Sequence, residues 1–364
     1  MKTLRVAIDA TPVLMRSAGV KNYLYYWFSN LRRCAAPGEE LGAFPLLNDL
    51  GTLHHDASDF SAWTTYSRLA AIHLANRLGT GAVGMLAGKV DVFHASNQVH
   101  CAPPRARLTA TLHDLTTRTM PELHTPGNIQ ADRYFAKRIL LRAHGLIAVS
   151  ENTRQDAIRL LGLAPERITT IHSGVPDEYF DARPTSRTRP YVLYVGTIEP
   201  RKNLGVLLDA WRQLKAGLRQ QFDLVFAGPS GWSAASALDR LRAEAVYLGY
   251  IPERDLPGLI AGATAFAYPS LYEGFGFPVA QAMAARTPVV TSNTSCLPEI
   301  TGGAALLIDP RSPAELASAL TRLLETESLR ADLSARGRQQ AERYRWARCA
   351  EESLRFFRAV VGQA

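Results

Sequence analysis

Thr264-Ala265-Phe266-Ala267-Tyr268-Pro269-Ser270-Leu271-Tyr272-Glu273-Gly274-Phe275-Gly276-Phe277-Pro278 runs from a short apolar stretch into a loop with two glycines and out through a proline. The uncharged, aromatic-rich opening predicts a buried parallel strand. Glycines at 274 and 276 permit close backbone approach, and Pro278 suits the first turn of a helix expected over 279–285. Strand, glycine loop and helix in that order make a cradle for phosphate, because a helix N-terminus presents unpaired amides and a favourable dipole. One carboxylate, Glu273, stands at its lip. A G-x-G turn is common by itself, so its neighbours must decide the reading.

Two neighbours share its logic. Tyr191-Val192-Leu193-Tyr194-Val195 predicts a strand, followed by Gly196-Thr197-Ile198-Glu199-Pro200-Arg201-Lys202 and a helix expected over 203–218. Arg201 and Lys202 at that helix start place two cations where the dipole already favours an anion; a solvated pair on a helix face is the plainer alternative. Further on, Gly249-Tyr250-Ile251-Pro252 follows a strand over 245–248 and suits backbone contacts to a base or ribose, though alone it is a turn. In open parallel sheets ligands bind beyond the carboxyl ends of strands, which is where all three loops lie.

The rest of the chain repeats the alternation. Strands are expected at 4–8, 90–94, 108–112, 145–149 and 168–171, with helices over 22–31 and 152–161, and a loop around Gly19 precedes the first of these. Asp181-Ala182-Arg183-Pro184-Thr185-Ser186-Arg187-Thr188-Arg189-Pro190 breaks the pattern with two prolines and no apolar period, as a linker does. A length of 364 residues fits two domains, and 47% hydrophobic with 20% charged residues excludes a disordered chain. The net charge of +8 is shared evenly: 20 Lys+Arg against 16 Asp+Glu before Pro184, and 21 against 17 from there on. It permits a phosphate-rich ligand, an anionic membrane or nucleic acid without choosing among them. The four cysteines are scattered, as free thiols in a reducing compartment would be. No apolar signal segment opens the chain, and the stretch 69–88 is interrupted by His73, Asn76 and Arg77, so a cytoplasmic protein is expected.

Taken together, these loops resemble the retaining nucleotide-sugar glycosyltransferases of family 4. The resemblance is carried by Gly196-Thr197 through Arg201-Lys202-Asn203-Leu204, by Ala227-Gly228-Pro229-Ser230-Gly231, by Leu248-Gly249-Tyr250-Ile251 and by Ser270 through Pro278. Thr291-Ser292-Asn293, Leu297-Pro298-Glu299-Ile300 and Ala304 through Pro310 complete it. In the first half Leu112-His113-Asp114-Leu115, Val149-Ser150-Glu151 and Ser173-Gly174-Val175 match more loosely but in the same order. The resemblance implies a GT-B fold: α/β, with two Rossmann-like domains facing a cleft. Residues 1–180 would bind the acceptor, 181–190 link, 191–343 bind the donor, and 344–364 form a helix crossing back to the first domain.

It also implies roles. Arg201 and Lys202 would neutralise the donor diphosphate, whose charge grows as it leaves. Glu273 would accept hydrogen bonds from the sugar, and amides of Gly274, Phe275, Gly276 and Phe277 would face phosphates or sugar. Gly249, Tyr250 and Ile251 would line the nucleobase, with Gly196 and Gly228 in the adjoining donor loops. Gly19 would approach the diphosphate from the first domain, and His113 would lie near the transferred sugar unless it is a structural histidine. The family uses no cofactor and usually no essential metal; here there is no D-x-D or H-x-x-x-H pattern, and all nine histidines precede Phe180.

Two positions depart from the family. Gln281 stands where a second glutamate binds the donor ribose, replacing a charge-assisted bond of about 1.5–3 kcal/mol by a neutral one of about 1. Arg286 stands where a glycine usually ends the helix; a left-handed non-glycine costs ~1 kcal/mol, so a different helix end is expected. The leading expectation is transfer of mannose from GDP-mannose to a glycan or lipid-linked acceptor. The alternatives are a UDP-glucose or GlcNAc-type donor, a nucleotide-sugar epimerase of the same fold, and a non-catalytic sugar-nucleotide-binding protein. No G-x-G-x-x-G follows the first strand of either half, against a dehydrogenase, and only charge speaks for nucleic acid. Arg133, Lys137, Arg138 and Arg142, interleaved with Tyr134, Ile139 and Leu140, suggest either a solvated helix face or peripheral docking on the inner membrane surface. The segment 47–66 is expected to set the acceptor.

Overall fold

Short apolar strands separated by helices pair in parallel through crossovers, and both halves of the chain do so. The computed structural model describes residues 4–15, 19–47, 49–51, 53, 58–96, 98–231 and 235–362. Within the expected acceptor segment, positions 48, 52 and 54–57 lie outside the described residues. The first sheet consists of β1 (Arg5–Asp9), β2 (Glu40–Phe44), β3 (Val92–Ala95), β4 (Arg107–Leu112), β5 (Gly145–Ala148) and β6 (Ile168–Thr170). Their spatial order is β2-β1-β3-β4-β5-β6, with Ala7 opposite Phe93 and Thr111 opposite Ile147. Strand β2 escaped the sequence reading. It is an edge strand that buries only Ala43 and Phe44, so it lacks a clear apolar period.

Helices cover this sheet. Helix α1 (Gly19–Cys34) begins at Gly19, earlier than expected, and buries Tyr23, Leu24, Trp27, Phe28 and Leu31. It is followed by α2 (Ala62–Leu78), α3 (Thr80–Ala87), α4 (Pro126–Arg138) and α5 (Glu151–Leu161). Helix α5 starts where expected because the Ser150 hydroxyl accepts the Thr153 amide at 3.1 Å, a standard N-cap.

The second sheet holds β7 (Tyr191–Val195), β8 (Asp223–Ala227), β9 (Val246–Tyr247), β10 (Ala265–Tyr268), β11 (Val289–Ser292) and β12 (Leu306–Ile308). The order is β12-β11-β10-β7-β8-β9. Strands β7, β10 and β11 are buried along their whole length, as central parallel strands covered on both faces must be. The chain direction of the order reverses between β7 and β10, so loops leaving these two strands diverge and open a crevice at their carboxyl ends.

Two helices differ from expectation. Helix α6 (Leu204–Gln213) stops early: Leu214 turns extended to bury its side chain, and a separate helix runs over Ala216–Gln221. Helix α7 (Phe277–Ala284) ends as a glycine-terminated helix would, against the expectation for Arg286. Arg286 takes the left-handed conformation, φ 62°, and the Thr287 and Arg286 amides bond to the Ala282 and Met283 carbonyls at 2.9 and 3.1 Å. The hydrogen bond from Ser334 Oγ to the Arg286 carbonyl, 2.6 Å, helps hold that conformation.

The chain divides into two compact units: residues up to Gly174 together with those from Trp346 onward, and Val175–Arg345. Helix α8 (Trp346–Gly362) therefore belongs with the first sheet. It packs on α1, where Trp27 Nε1 donates to Ser353 Oγ at 2.9 Å. Gly145 at the start of β5 makes room for it, since a Cβ there would sit 2.8 Å from Val360 and 2.9 Å from Phe356. The 181–190 segment runs along the second unit: the Thr185 amide bonds to Gly258 at 2.9 Å, and Arg189 pairs with Asp223 at 2.8 Å. Among the described residues, no helix is long and apolar enough to cross a membrane.

Candidate active site

The crevice between β7 and β10 gathers the predicted charged residues. After β7 the backbone makes a single 3-10 turn, Pro200–Lys202, and Asn203 then adopts the left-handed conformation at φ 59°. Asparagine tolerates this region better than most residues, and here its side chain is used as well. Asn203 Nδ2 donates to the carbonyls of Pro269 at 3.0 Å and Pro310 at 2.6 Å, tying together the loops after β7, β10 and β12. The Leu271 amide bonds to the Arg201 carbonyl at 2.9 Å, and Arg201 Nη1 donates to the Tyr272 carbonyl at 2.6 Å. The two loops are thus one rigid body around their side chains.

Glu273 is the centre. Its Oε1 accepts from Lys202 Nζ at 2.6 Å, Ser270 Oγ at 2.6 Å and Tyr268 Oη at 3.0 Å, while Arg201 Nη1 lies 3.1 Å from Oε2. Lys202 also donates to Tyr268 Oη at 2.7 Å, and Arg201 pairs with Glu199 at 2.7 Å. Ser295 Oγ accepts the Glu273 amide at 3.1 Å. The four charged side chains are almost wholly buried, which makes each hydrogen bond necessary rather than optional. Two cations face two carboxylates, so the cluster is neutral in this state.

Burial alone would raise the Glu273 carboxyl; Arg201, Lys202 and the hydrogen bonds from Lys202 and Ser270 outweigh it and hold the group down at about 2. Burial lowers the Lys202 ammonium from its ordinary value, against the pull of Glu273. The Tyr268 and Tyr194 hydroxyls are pushed well up by burial and then by Glu273, so both stay protonated. Their rings stack with centroids 5.6 Å apart beneath the cluster.

The predicted glycines fall around this centre. Gly276, at φ 81°, leads into α7, and a Cβ there would lie 2.8 Å from Leu297. Gly274 is buried in the same loop. Phe275 and Phe277 anchor it: the Phe275 ring meets Phe277 at 5.1 Å and Tyr344 at 5.5 Å, so its side chain serves packing and only its backbone is available to a ligand. Gly196, Gly228 and Gly249 converge beyond β7, β8 and β9. The Gly228 amide bonds to the Gly249 carbonyl at 2.7 Å, and a Cβ on Gly228 would come within 2.1 Å of the Gly196 carbonyl oxygen. Tyr250 is exposed and Ile251 half-buried beside them. Gln281 is half-buried in α7 and, among the described residues, stands outside the Glu273 network.

Gly19 and His113 belong to the first unit. Gly19 is exposed at the start of α1. His113 follows β4 with its ring edge-on to Tyr23 at 4.7 Å, and burial lowers it to about 4 despite Asp114, so it is neutral near pH 7. Asp114 receives the Thr116 amide and hydroxyl at 3.1 and 2.7 Å. Sequence reasoning assigned no role to Glu199, Tyr268, Ser270 and Ser295. Glu199 was within reach, two residues from Arg201 in the same turn. Ser295 is 22 residues from Glu273 and nothing in its own segment marks it. Among the described residues, no group of three or more His, Cys, Asp or Glu side chains is placed to hold a metal ion.

Residues 176–340 match the family Glycosyl transferases group 1, and residues 60–179 match Glycosyltransferase Family 4. The chain is 34% identical over 272 residues to the O-antigen chain mannosyltransferase B of Escherichia coli, covering 70% of this chain and 71% of that one. It is 26% identical over 238 residues to the serotype-specific mannosyltransferase WbdA of Escherichia coli, which spans 60% of this chain but only 29% of the relative. Among solved structures, the sucrose-phosphate synthase of Thermosynechococcus elongatus superposes with a TM-score of 0.73 over 100% of both chains at 18% identity.

Proposed function

The chain belongs to the glycosyltransferases of group 1 and family 4, and from that premise we propose that it transfers mannose from GDP-mannose to a glycan or lipid-linked acceptor, with retention and without a metal. The carrying observation is the neutral Glu199–Arg201–Lys202–Glu273 cluster at the point where the second sheet reverses its strand order. The mannosyltransferase relative at 34% identity supports the choice of sugar.

The cluster suggests how donor binding works. A diphosphate entering the crevice competes with Glu273 for Arg201 and Lys202. As the cations turn to phosphate, the Glu273 oxygens are released to accept hydroxyls of the sugar. In the transition state the bond from the anomeric carbon to the phosphate oxygen breaks, and the bond to the acceptor oxygen forms on the same face. The acceptor proton passes to the departing diphosphate. Arg201 and Lys202 then face the site where negative charge grows, and in a buried setting such preorganised charge gives its largest effect. The protein supplies position and charge rather than a nucleophile.

The test is incubation of the purified protein and a glycan acceptor with GDP-mannose, UDP-glucose, UDP-GlcNAc and ADP-glucose in turn, following nucleoside diphosphate release and the anomeric NMR signal of the product. An α-mannoside from GDP-mannose, lost in Glu273→Ala, is expected. Turnover confined to a UDP- or ADP-sugar would overturn the donor, an inverted anomer the mechanism, and a changed sugar still on its nucleotide would make the protein an epimerase. No release or hydrolysis with any donor would leave a binding protein.

A further inference from the structure

The first unit holds a cleft of about 470 Å³ that the proposed reaction does not use. It lies between β6, the edge strand of the first sheet, and α8, and every residue that lines it belongs to this unit. Clefts that take small molecules run from about 300 to 1,000 Å³, so its size suits one. Ile171, Phe356 and Val360 are buried and give it an apolar floor.

Its rim carries hydrogen-bonding groups of both kinds that the fold leaves open. Among the described residues, the Glu166 carboxylate and the Thr169 hydroxyl make no hydrogen bond. The Arg355 guanidinium reaches only Glu352, at 3.9 Å, beyond a hydrogen bond. His144 Nδ1 accepts the Leu108 amide at 3.1 Å, so the hydrogen of the neutral imidazole sits on Nε2, which is open. Burial and then Arg107 lower this imidazole from its ordinary value, which favours that neutral form. Arg167 is already bonded to the carbonyls of Leu141 and Ala143, leaving Arg355 and His144 as the open donors. The charges around the cleft balance, Arg167 and Arg355 against Glu166 and Glu352. A simple anion or cation would meet as many like charges as opposite ones.

Open donors, open acceptors, no net charge and an apolar floor call for a ligand with hydroxyls around an apolar face. A pyranose ring is built that way: each hydroxyl both donates and accepts, and the C–H face rests on aromatic or aliphatic carbon. We propose that this cleft is a glycan-binding site separate from the Glu273 crevice, holding a short uncharged saccharide with its hydroxyls on Glu166, Thr169, His144 and Arg355. A glycan retained here would stay with the enzyme between transfers, as any second attachment ensures. The choice of mannose as the test sugar rests on the proposed transfer; the chemistry of the cleft does not.

The experiment is methyl NMR of the full chain, labelled at isoleucine and valine, titrated with a linear oligomannoside and separately with inorganic phosphate, with no donor present. Saturable shifts of the Ile171 and Val360 signals are expected with the oligomannoside and none with phosphate. Glu166→Ala and Arg355→Ala should each weaken the dissociation constant read at these signals about tenfold, the loss of a hydrogen bond to a charged group. Both side chains are exposed, and an otherwise unchanged spectrum shows that the variants fold. Saccharide at the acceptor site moves other methyl signals, which these variants leave alone. No shift of Ile171 and Val360 at millimolar oligomannoside overturns the proposal. So do shifts with phosphate alone, or an affinity that both variants leave unchanged. Because no donor is turned over, the shifts can appear in a chain that transfers nothing and be missing from one that transfers mannose, so this proposal and the transfer reading fail separately.

Discussion

Replacing Glu273 by glutamine separates charge from shape at the centre of the cluster. A buried carboxyl held at about 2 instead of the usual 4.5 contributes about 3 kcal/mol of folding stability at neutral pH. Because the folded value is the lower one, that contribution is whole above the unfolded value and fades as pH falls toward about 2. Urea unfolding of the wild type and of Glu273→Gln, compared at about pH 5 and about pH 3, should show the wild type losing about 2 kcal/mol more than the variant. Parallel losses would refute the claim that Glu273 is held ionised by Arg201 and Lys202. The variant also splits binding from chemistry. Its cluster keeps two cations and one carboxylate, so GDP should bind at least as tightly as in the wild type. Transfer should fall by about ten- to a hundredfold, the loss of one or two charge-assisted hydrogen bonds to the sugar. Weaker GDP binding together with unchanged transfer would reverse the roles given to these groups.

Gly228→Ala should destabilise the second unit by about 2 kcal/mol or more and weaken nucleotide binding, because its Cβ meets the Gly196 carbonyl at 2.1 Å; calorimetry with GDP checks both. Arg286→Gly should raise the melting temperature, since the left-handed conformation costs arginine ~1 kcal/mol that glycine does not incur. His113, held at about 4 by burial, should stay neutral in an NMR titration down to about pH 5 and contribute no step to the rate profile near pH 6.5. A folded value below the unfolded one makes the unfolded chain the better proton acceptor, so His113→Gln should lessen the stability lost as pH falls from about 6.5 to about 4.

The central strands were legible because burial on both faces forces uninterrupted apolar runs, and Tyr191–Val195 and Ala265–Tyr268 have nothing else in them. The loops after them were legible because glycine, proline and paired cations are costly to place by accident. Strand β2, half solvent-facing, has no such constraint. The break after Gln213 was also hidden, since Leu214 and Lys215 are ordinary helix formers and only the need to bury Leu214 turns the chain. At the site, sequence reasoning found the charges but not their pairing. Arg201 and Lys202 suggested an exposed anion trap; the structure closes them on Glu199 and Glu273, a relation set by two loops about 70 positions apart meeting at the strand-order reversal.

The return of α8 to the first sheet makes the second unit an insertion within the first. During synthesis, all of Val175–Arg345 is made before the last helix of the first unit exists. Until then Trp27 of α1 can reach His94 of β3 but lacks Ser353 and Phe357, and the groove at Gly145 that will hold Phe356 and Val360 stays empty. The second unit is free to fold on its own contiguous segment, while the first must wait for contacts more than 300 positions apart, the kind that slow folding most. The folding order is therefore expected to invert the order of the sequence, with Val175–Arg345 formed first and the unit it interrupts completed by the final helix.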